Sequence, residues 1–284
     1  MPAFETPEPI AVIVDMFIGT VEVVASDRTD TVVEVRPSDP AKKDDVRAAQ
    51  ETKVDFAAGQ LTVKVSRGWK VYALGANPSV DVTIEVPAGS RLHGTGDVVR
   101  FAVAGELGQC ELKTSVGDLQ LEKAGPLELR TTGGNIAVDQ AVSRAHITTS
   151  TGLIRIREID GSAVVKNSNG DSTIRDVTGD LRVNAANGNI TVERPRGSVT
   201  AKTANGNIRI GDAAEGILRL ETSAGELEVG IHPGSAAYLD INTKAGIVQN
   251  LMEAAGQPAE GDDTVQVYAR NSFGNIIIRH ATAV

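Results

Sequence analysis

Three features of the sequence predict an all-β fold, a parallel β-solenoid (β-helix) of about nine 18-residue coils behind an N-terminal β-rich capping segment. Glycines recur at 117, 134, 152, 170, 188, 206 and 225, in steps of 17, 18, 18, 18, 18 and 19. At fixed offsets on either side of each glycine, apolar residues alternate with polar ones, the period-two pattern of a strand with one buried face. Glycine accounts for 29 of 284 residues while aromatics are only 3%, which suits thin stacked layers with tight corners better than a core built around large rings.

Residues 1 to about 90 form the first element. They lack the glycine repeat, but runs at Ile10–Val14, Thr20–Val24, Val32–Val35, Leu61–Val65 and Val80–Val86 have strand composition. Pro40 to Gln50 predicts one short helix, with Ser38 or Asp39 as its cap. A solenoid exposes unpaired strand edges at its ends, so this segment is expected to pair with and cover the first coil.

Residues 91–284 form the second element. The glycine series continues through Gly246 and Gly274 to give nine units in one register. Two residues after the glycine stand Leu119, Ile136, Ile154, Ser172, Ile190, Ile208, Leu227, Val248 and Ile276. Four after it stand Leu121, Val138, Ile156, Ile174, Val192, Ile210, Val229, Asn250 and Ile278. A second strand precedes the glycine, with inward columns such as Leu112, Leu129, Ile147 and Val165 five before it and Cys110, Leu127, Ala145 and Ala163 seven before. Each unit is therefore strand, corner, strand, corner. Stacking such units buries both apolar columns and lets each coil's backbone bond to its neighbours. Three before the glycine the residue is usually Thr or Asn, and just after it usually Asn or Asp, so hydrogen-bonded ladders are expected at the corner.

Gly274 is reached only after an insertion at Leu251 to Thr264, and its unit, Asn271 to Arg279, runs to within five residues of Val284. The expectation is that this C-terminal coil is an open template for end-to-end or tail-to-tail self-association, unless the insertion folds over it.

The chemistry-bearing residues point away from catalysis. Lys plus Arg total 28 against 37 for Asp plus Glu, a net charge of -9, which disfavours nucleic acid as a partner. His93, His146, His232 and His280 fall on separate elements without metal-ligand spacing, and one cysteine, Cys110, permits neither a disulfide nor a cysteine-based zinc site. The corner acids lack the Gly-Gly-x-Gly-x-Asp pattern of calcium-binding rolls. Outward carboxylates such as Glu122, Glu128, Asp160, Asp176, Glu193 and Glu228 are scattered among Arg and Lys, as solubility alone requires. No cofactor, metal or catalytic residue is expected. Trp69 and Tyr72 are the one aromatic patch that could stack on a partner or a sugar, with a plug over the first coil as the commoner role for such residues. An acidic start and an apolar run stopped at Asp15 give no signal peptide, and no stretch approaches the roughly 20 apolar residues of a membrane span, so the expected compartment is the cytoplasm.

The Thr-x-x-Gly-Asn/Asp-Ile/Leu-x-Val/Ile pattern, as in Thr203 to Ile210, resembles the bacterial putative-adhesin family of β-strand-repeat proteins, a domain of unknown function. Gly19 to Val23, Thr31 to Pro37 and Val82 to Ser90 are similar to it as well. The resemblance covers nearly the whole chain. It implies a β-solenoid and a role in interaction, and it supplies no catalytic residues. The sequence thus predicts a non-enzymatic scaffold or interaction protein, self-associating or binding a protein partner through the solenoid face or the C-terminal edge. A cell-surface or carbohydrate-binding adhesin is the alternative, and a glycan-active enzyme the third reading.

Overall fold

Strand-forming alternation governs nearly every stretch of the chain. A computed structural model, which describes residues 2–65, 77–252 and 263–281, shows 25 strands and one helix among those residues. The fold is all-β and built of solenoid coils, as the repeat requires. Two units divide the chain, residues 1–139 and 140–284.

The first unit holds β1 (Ala3–Glu5), β2 (Ala11–Ser26), β3 (Asp30–Pro37), α1 (Lys43–Glu51), β4 (Lys53–Ala57), β5 (Gln60–Lys64), β6 (Val80–Pro87), β7 (Arg91–Leu107), β8 (Cys110–Val116), β9 (Leu119–Ala124), β10 (Leu127–Gly133) and β11 (Ile136–Ala141). The runs expected at 10–14 and 20–24 join into the single strand β2, with Gly19 between them. Strand β2 is parallel to β7 over Ala11–Val24 and, along its other edge, to β5 and β6. Antiparallel pairings of β1 with β3, β3 with β6, and β4 with β5 complete this region. Strand β7 then pairs in parallel with β8 and β9.

The coil pattern reaches further toward the N-terminus than the glycine spacing shows. Met16 aligns with Gly96, and Gly96 with Thr114, so these three residues occupy one corner column. A large thioether against a glycine fills that column where later coils use threonine, and this substitution hides the repeat in β2 and β7.

Helix α1 begins three residues later than expected and is capped differently. Lys42 is the N-cap and makes no side-chain capping bond. Asp45, 2% exposed, instead accepts the backbone N–H groups of Asp39 (3.2 Å) and Ser79 (3.0 Å), tying the helix to the residue just before β6. Ser38 and Asp39 serve the loop: Ser38 bonds Ser79 and Asp81, and Asp39 accepts from the Ala41 N–H.

The second unit holds β12 (Ala145–Thr151), β13 (Ile154–Ile159), β14 (Ala163–Asn169), β15 (Ser172–Val177), β16 (Leu181–Asn187), β17 (Ile190–Pro195), β18 (Val199–Asn205), β19 (Ile208–Ala213), β20 (Gly216–Ala224), β21 (Leu227–Ile231), β22 (Ala236–Ala245), β23 (Val248–Asn250), β24 (Thr264–Phe273) and β25 (Ile276–His280). Each strand lies parallel to the strand two further on, from β12 with β14 through β19 with β21. Parallel pairing of strands with both edges occupied is what stacked coils impose.

The corner glycine sets how closely coils stack. Gly188 has φ +139°, and a β-carbon there would fall 2.2 Å from the carbonyl oxygen of Gly170 in the coil before. Only glycine allows that approach. Thr and Asn three residues earlier bond the same carbonyl column: Thr222 Oγ1 donates to Gly206 O (2.9 Å) and Thr203 Oγ1 to Gly188 O (3.3 Å). The inward columns are buried throughout, with the exception of the Gly246 coil, where Val248 and Asn250 are exposed.

The order of coils departs from the order of the chain at the far side of this unit. Strand β20 pairs with β24, and β24 with β22; likewise β21 pairs with β25, and β25 with β23. The Gly274 coil is thus inserted between the Gly225 and Gly246 coils. The glycine column records the same order, since Gly274 would meet Gly225 O at 2.2 Å and Gly246 would meet Gly274 O at 1.8 Å. The expectation that the C-terminal coil is the open template is therefore corrected: β24 and β25 are paired on both edges, and among the described strands the open edge belongs to β22 and β23. Burial explains the choice. Val265, Val267, Ala269, Ile276 and Ile278 of the inserted coil are all 0% exposed. The Gly246 coil, with Asn250 in an inward column, is the better one to leave against water.

Candidate functional site

The open edge of the second unit gathers the features that the rest of the coils lack. Among the described strands, β22 pairs only with β24 and β23 only with β25. Alternate residues of an edge strand point both backbone groups outward, unpaired. Of the eight large hydrophobic residues exposed among the described residues, five stand here: Tyr238, Ile247, Val248, Leu251 and Phe273. Single exposed apolar side chains need no explanation, but a cluster beside an unpaired edge marks a contact surface.

On the outward face beside this edge, Tyr238 and Tyr268 stand with ring centroids 6.3 Å apart and planes tilted by 55°. Strand register places Arg219 next to Tyr268, and its guanidinium carbon lies 5.3 Å from the ring centroid, a cation–π contact. A hollow of about 500 Å³ is lined here by Ala236, Ala237, Tyr238, Val265, Gln266 and Tyr268, with Thr264 at its rim. Tyr268 donates to Gln266 Oε1 at 3.3 Å. Arg270 clasps Asp240 through two bonds, Nη2 to Oδ2 at 2.7 Å and Nη1 to the backbone oxygen at 2.9 Å. That guanidinium holds the Asp240 carboxyl below the usual carboxylate range and so keeps it ionised.

The corner glycines sit where the spacing put them. Gly117, Gly134, Gly152, Gly170, Gly188, Gly206, Gly225 and Gly274 all have φ between +127° and +152°, whereas Gly246, at the open edge, does not take a left-handed φ. Trp69 and Tyr72 lie outside the described residues. Cys110 is fully buried, and that burial pushes its thiol pKa up, so it is held as an unreactive thiol. His93 faces Glu111 at 3.2 Å and His232 faces Asp212 at 2.9 Å, each as an isolated surface pair. Among the described residues no three His, Cys, Asp or Glu side chains converge on a metal-sized site.

Two of the carboxylates on the coil faces, Glu228 and Asp176, are matched with arginines. Glu228 accepts from Arg279 at 2.7 Å and stands 3.6 Å from Arg209. Asp176 is gripped in bidentate fashion by Arg194, at 2.5 and 2.8 Å. The hollow of about 220 Å³ lined by Glu226 and Glu228 also contains Arg209. Arg194 holds the Asp176 carboxyl below the usual carboxylate range, which does not suit a general acid.

The aromatic pair and the open edge escaped the sequence reading. Their signal was present in the columns: the Gly246 unit alone carries a polar residue, Asn250, four after its glycine. Asn250 is exposed in that coil, whereas Ser172, the other polar residue of these columns, is buried between two coils.

The family model described as Toastrack DUF4097 matches residues 14–236. No curated protein matches the chain. Among solved structures, a putative adhesin of Bacteroides fragilis is 10% identical and covers 98% of this chain and 95% of its own, with a TM-score of 0.32. A putative adhesin of Parabacteroides merdae is 11% identical over 98% of this chain and 94% of its own, with a TM-score of 0.37. A putative cell adhesion protein of Clostridium sporogenes is 9% identical over 98% of both chains, with a TM-score of 0.23. Likeness at these identities and scores carries no argument about what the present chain binds.

Proposed function

We propose that this chain, which belongs to the Toastrack DUF4097 family, is a non-enzymatic interaction protein that docks a protein partner by strand addition at the open β22–β23 edge. One observation carries the reading: the only coil of the second unit with a one-sided pairing among the described strands is also where the exposed apolar side chains collect. Backbone groups on such an edge supply affinity, and the side chains beside it supply specificity. The matched carboxylates on the coil faces favour a solvated scaffold over a hydrolytic cleft. A cytoplasmic location belongs to this proposal, and recovery of the native protein in the envelope fraction would count against it.

The test is an edge block. Replacing Leu239 and Ile241, half-buried residues of β22, with lysine places charges along the edge and is expected to abolish partner binding while the far-UV circular dichroism stays unchanged. Undiminished binding by the folded, blocked protein rejects the proposal.

The Tyr238–Tyr268 pair favours a second reading, a carbohydrate contact, because the exposed Tyr238 ring, beside the half-buried Tyr268 and an amide, offers a face on which a pyranose could stack. Alanine at both tyrosines would then abolish glycan retention and leave binding at the strand edge intact. Retention unchanged by the double substitution removes this reading.

A further inference from the structure

The strand edge that this proposed function relies on has a self-complementary pattern. Along β22 the even-numbered residues Tyr238, Asp240, Asn242 and Lys244 face outward, and the odd-numbered Leu239, Ile241 and Thr243 face the coil interior, half-buried. When a strand meets a second copy of itself in antiparallel register, residues directly opposite lie on the same face. Centring that register on Asn242 sets Asp240 opposite Lys244 of the second copy and, by symmetry, Lys244 opposite its Asp240. The same register places Ile241 opposite Thr243 and Leu239 opposite Ala245 on the interior face, so two apolar columns continue from one molecule into the next. No charge meets its own sign.

Among the described strands, a head-to-tail contact finds no free edge on the first coil-type strand. In the first unit, β2 is paired with β7 along one edge and with β5 and β6 along the other, so the earliest coil-type strand is already covered. An edge that pairs with the same edge of another copy closes on a two-fold axis. Ile247, Val248 and Leu251, which follow β22 in the same coil, are all exposed in the single chain and lie beside this edge.

We infer that the occupant of the β22–β23 edge is a second copy of this chain, joined tail to tail about a two-fold axis through Asn242. The inference rests on the edge being the contact surface and adds the identity and register of the partner.

The full-length protein tests it by sedimentation velocity from nanomolar to high micromolar concentration, alongside mild oxidation of Asn242→Cys. A concentration-dependent dimer is expected. The cysteines at position 242 would lie opposite one another at the roughly 4.5–5.5 Å Cα spacing of antiparallel partners, within disulfide reach, and would cross-link the dimer. The same substitution at Thr191, on a coil face in the middle of the unit, should leave the chain uncross-linked. Lys244→Glu, which sets like charges opposite each other twice, should weaken dimerisation by about tenfold at low salt, and less at high salt. A chain that stays monomeric throughout and forms no cross-link through position 242 overturns the inference. A dimer that appears only after residues 253–262 are replaced by a short linker overturns it equally, and assigns the cover of the edge to that segment. If the monomer still loses a partner on Leu239→Lys and Ile241→Lys substitution, the edge-docking proposal stands while the self-pairing inference falls.

Discussion

Two adjacent glycines give the sharpest test of how the coils stack. Gly134 has φ +152°, and a β-carbon on it would stand 2.1 Å from the carbonyl oxygen of Gly117; a β-carbon on Gly133 would meet nothing within 4 Å. The same methyl group is therefore added one residue apart in opposite circumstances. At Gly134 the side chain is placed in a conformation that costs a non-glycine residue roughly 1–2 kcal/mol. To relieve the overlap the coils must part by about 1 Å of a spacing near 4.8 Å. That movement strains the Gly117 N–H bond to Gly133 O (2.8 Å) and the Leu119 N–H bond to Asn135 O (2.9 Å). With about 1 kcal/mol for each of those bonds, Gly134→Ala should destabilise the fold by about 3–4 kcal/mol. Gly133→Ala should stay within about 0.5 kcal/mol of the parent, or gain slightly through a less flexible unfolded chain. Urea unfolding followed by circular dichroism reads both. Equal effects from the two substitutions, or a Gly134→Ala protein as stable as the parent, would refute the close-stacking account.

Asn167 Nδ2 donates to both Gly152 O (2.9 Å) and Gly170 O (2.8 Å), while the next coil has Ala185 in the Thr/Asn column. Asn167→Thr is thus expected to cost about 1–2 kcal/mol through the loss of a donor to Gly170, and Ala185→Thr should recover it, read as a double-mutant cycle in urea. Arg194 lowers the pKa of Asp176, so that pair stabilises the fold above the ordinary carboxylate range and its contribution disappears as pH falls through the depressed value. Asp176→Asn should cost less than about 1 kcal/mol at neutral pH and nothing measurable at about pH 2, the difference shrinking with salt. A chain begun at Arg91 would strip β7 of its β2 partner along Arg91–Ala104 and is expected to aggregate; a soluble monomer with native circular dichroism would count against residues 1–90 acting as a cap.

How much of this was legible in the sequence depended on whether local chemistry or competition between coils decided the outcome. The columns around Gly152 to Gly225 were legible because nearly every coil repeats one physical solution: glycine at the close approach, a threonine or asparagine donor beside it (Ala185 excepted), mostly apolar residues at alternate positions. Strand β2 was not legible as coil, because Met16 opposite Gly96 fills the corner column by bulk instead of by a hydroxyl. The helix was legible, its cap was not, since Asp45 bonds Ser79 across 34 residues and no local motif encodes that. The inserted Gly274 coil depends on a comparison between two units, one with Val265, Val267 and Ile278 inward and one with Asn250. Nearest-neighbour order along the chain gives the wrong answer there, and burial gives the right one. The Tyr238–Tyr268 pair follows from that same insertion, because the two rings become neighbours only when β24 lies beside β22.

Hydrogen exchange of the backbone amides in β22 and β24, compared at low and high protein concentration, tests the central claim most directly. At low concentration β24 should be protected like the inner strands while alternate amides of β22 exchange quickly, and those amides should become protected as concentration rises. Rapid exchange along the whole of β24, or full protection of β22 in the dilute monomer, would contradict both the coil order and the open edge on which the proposed function depends.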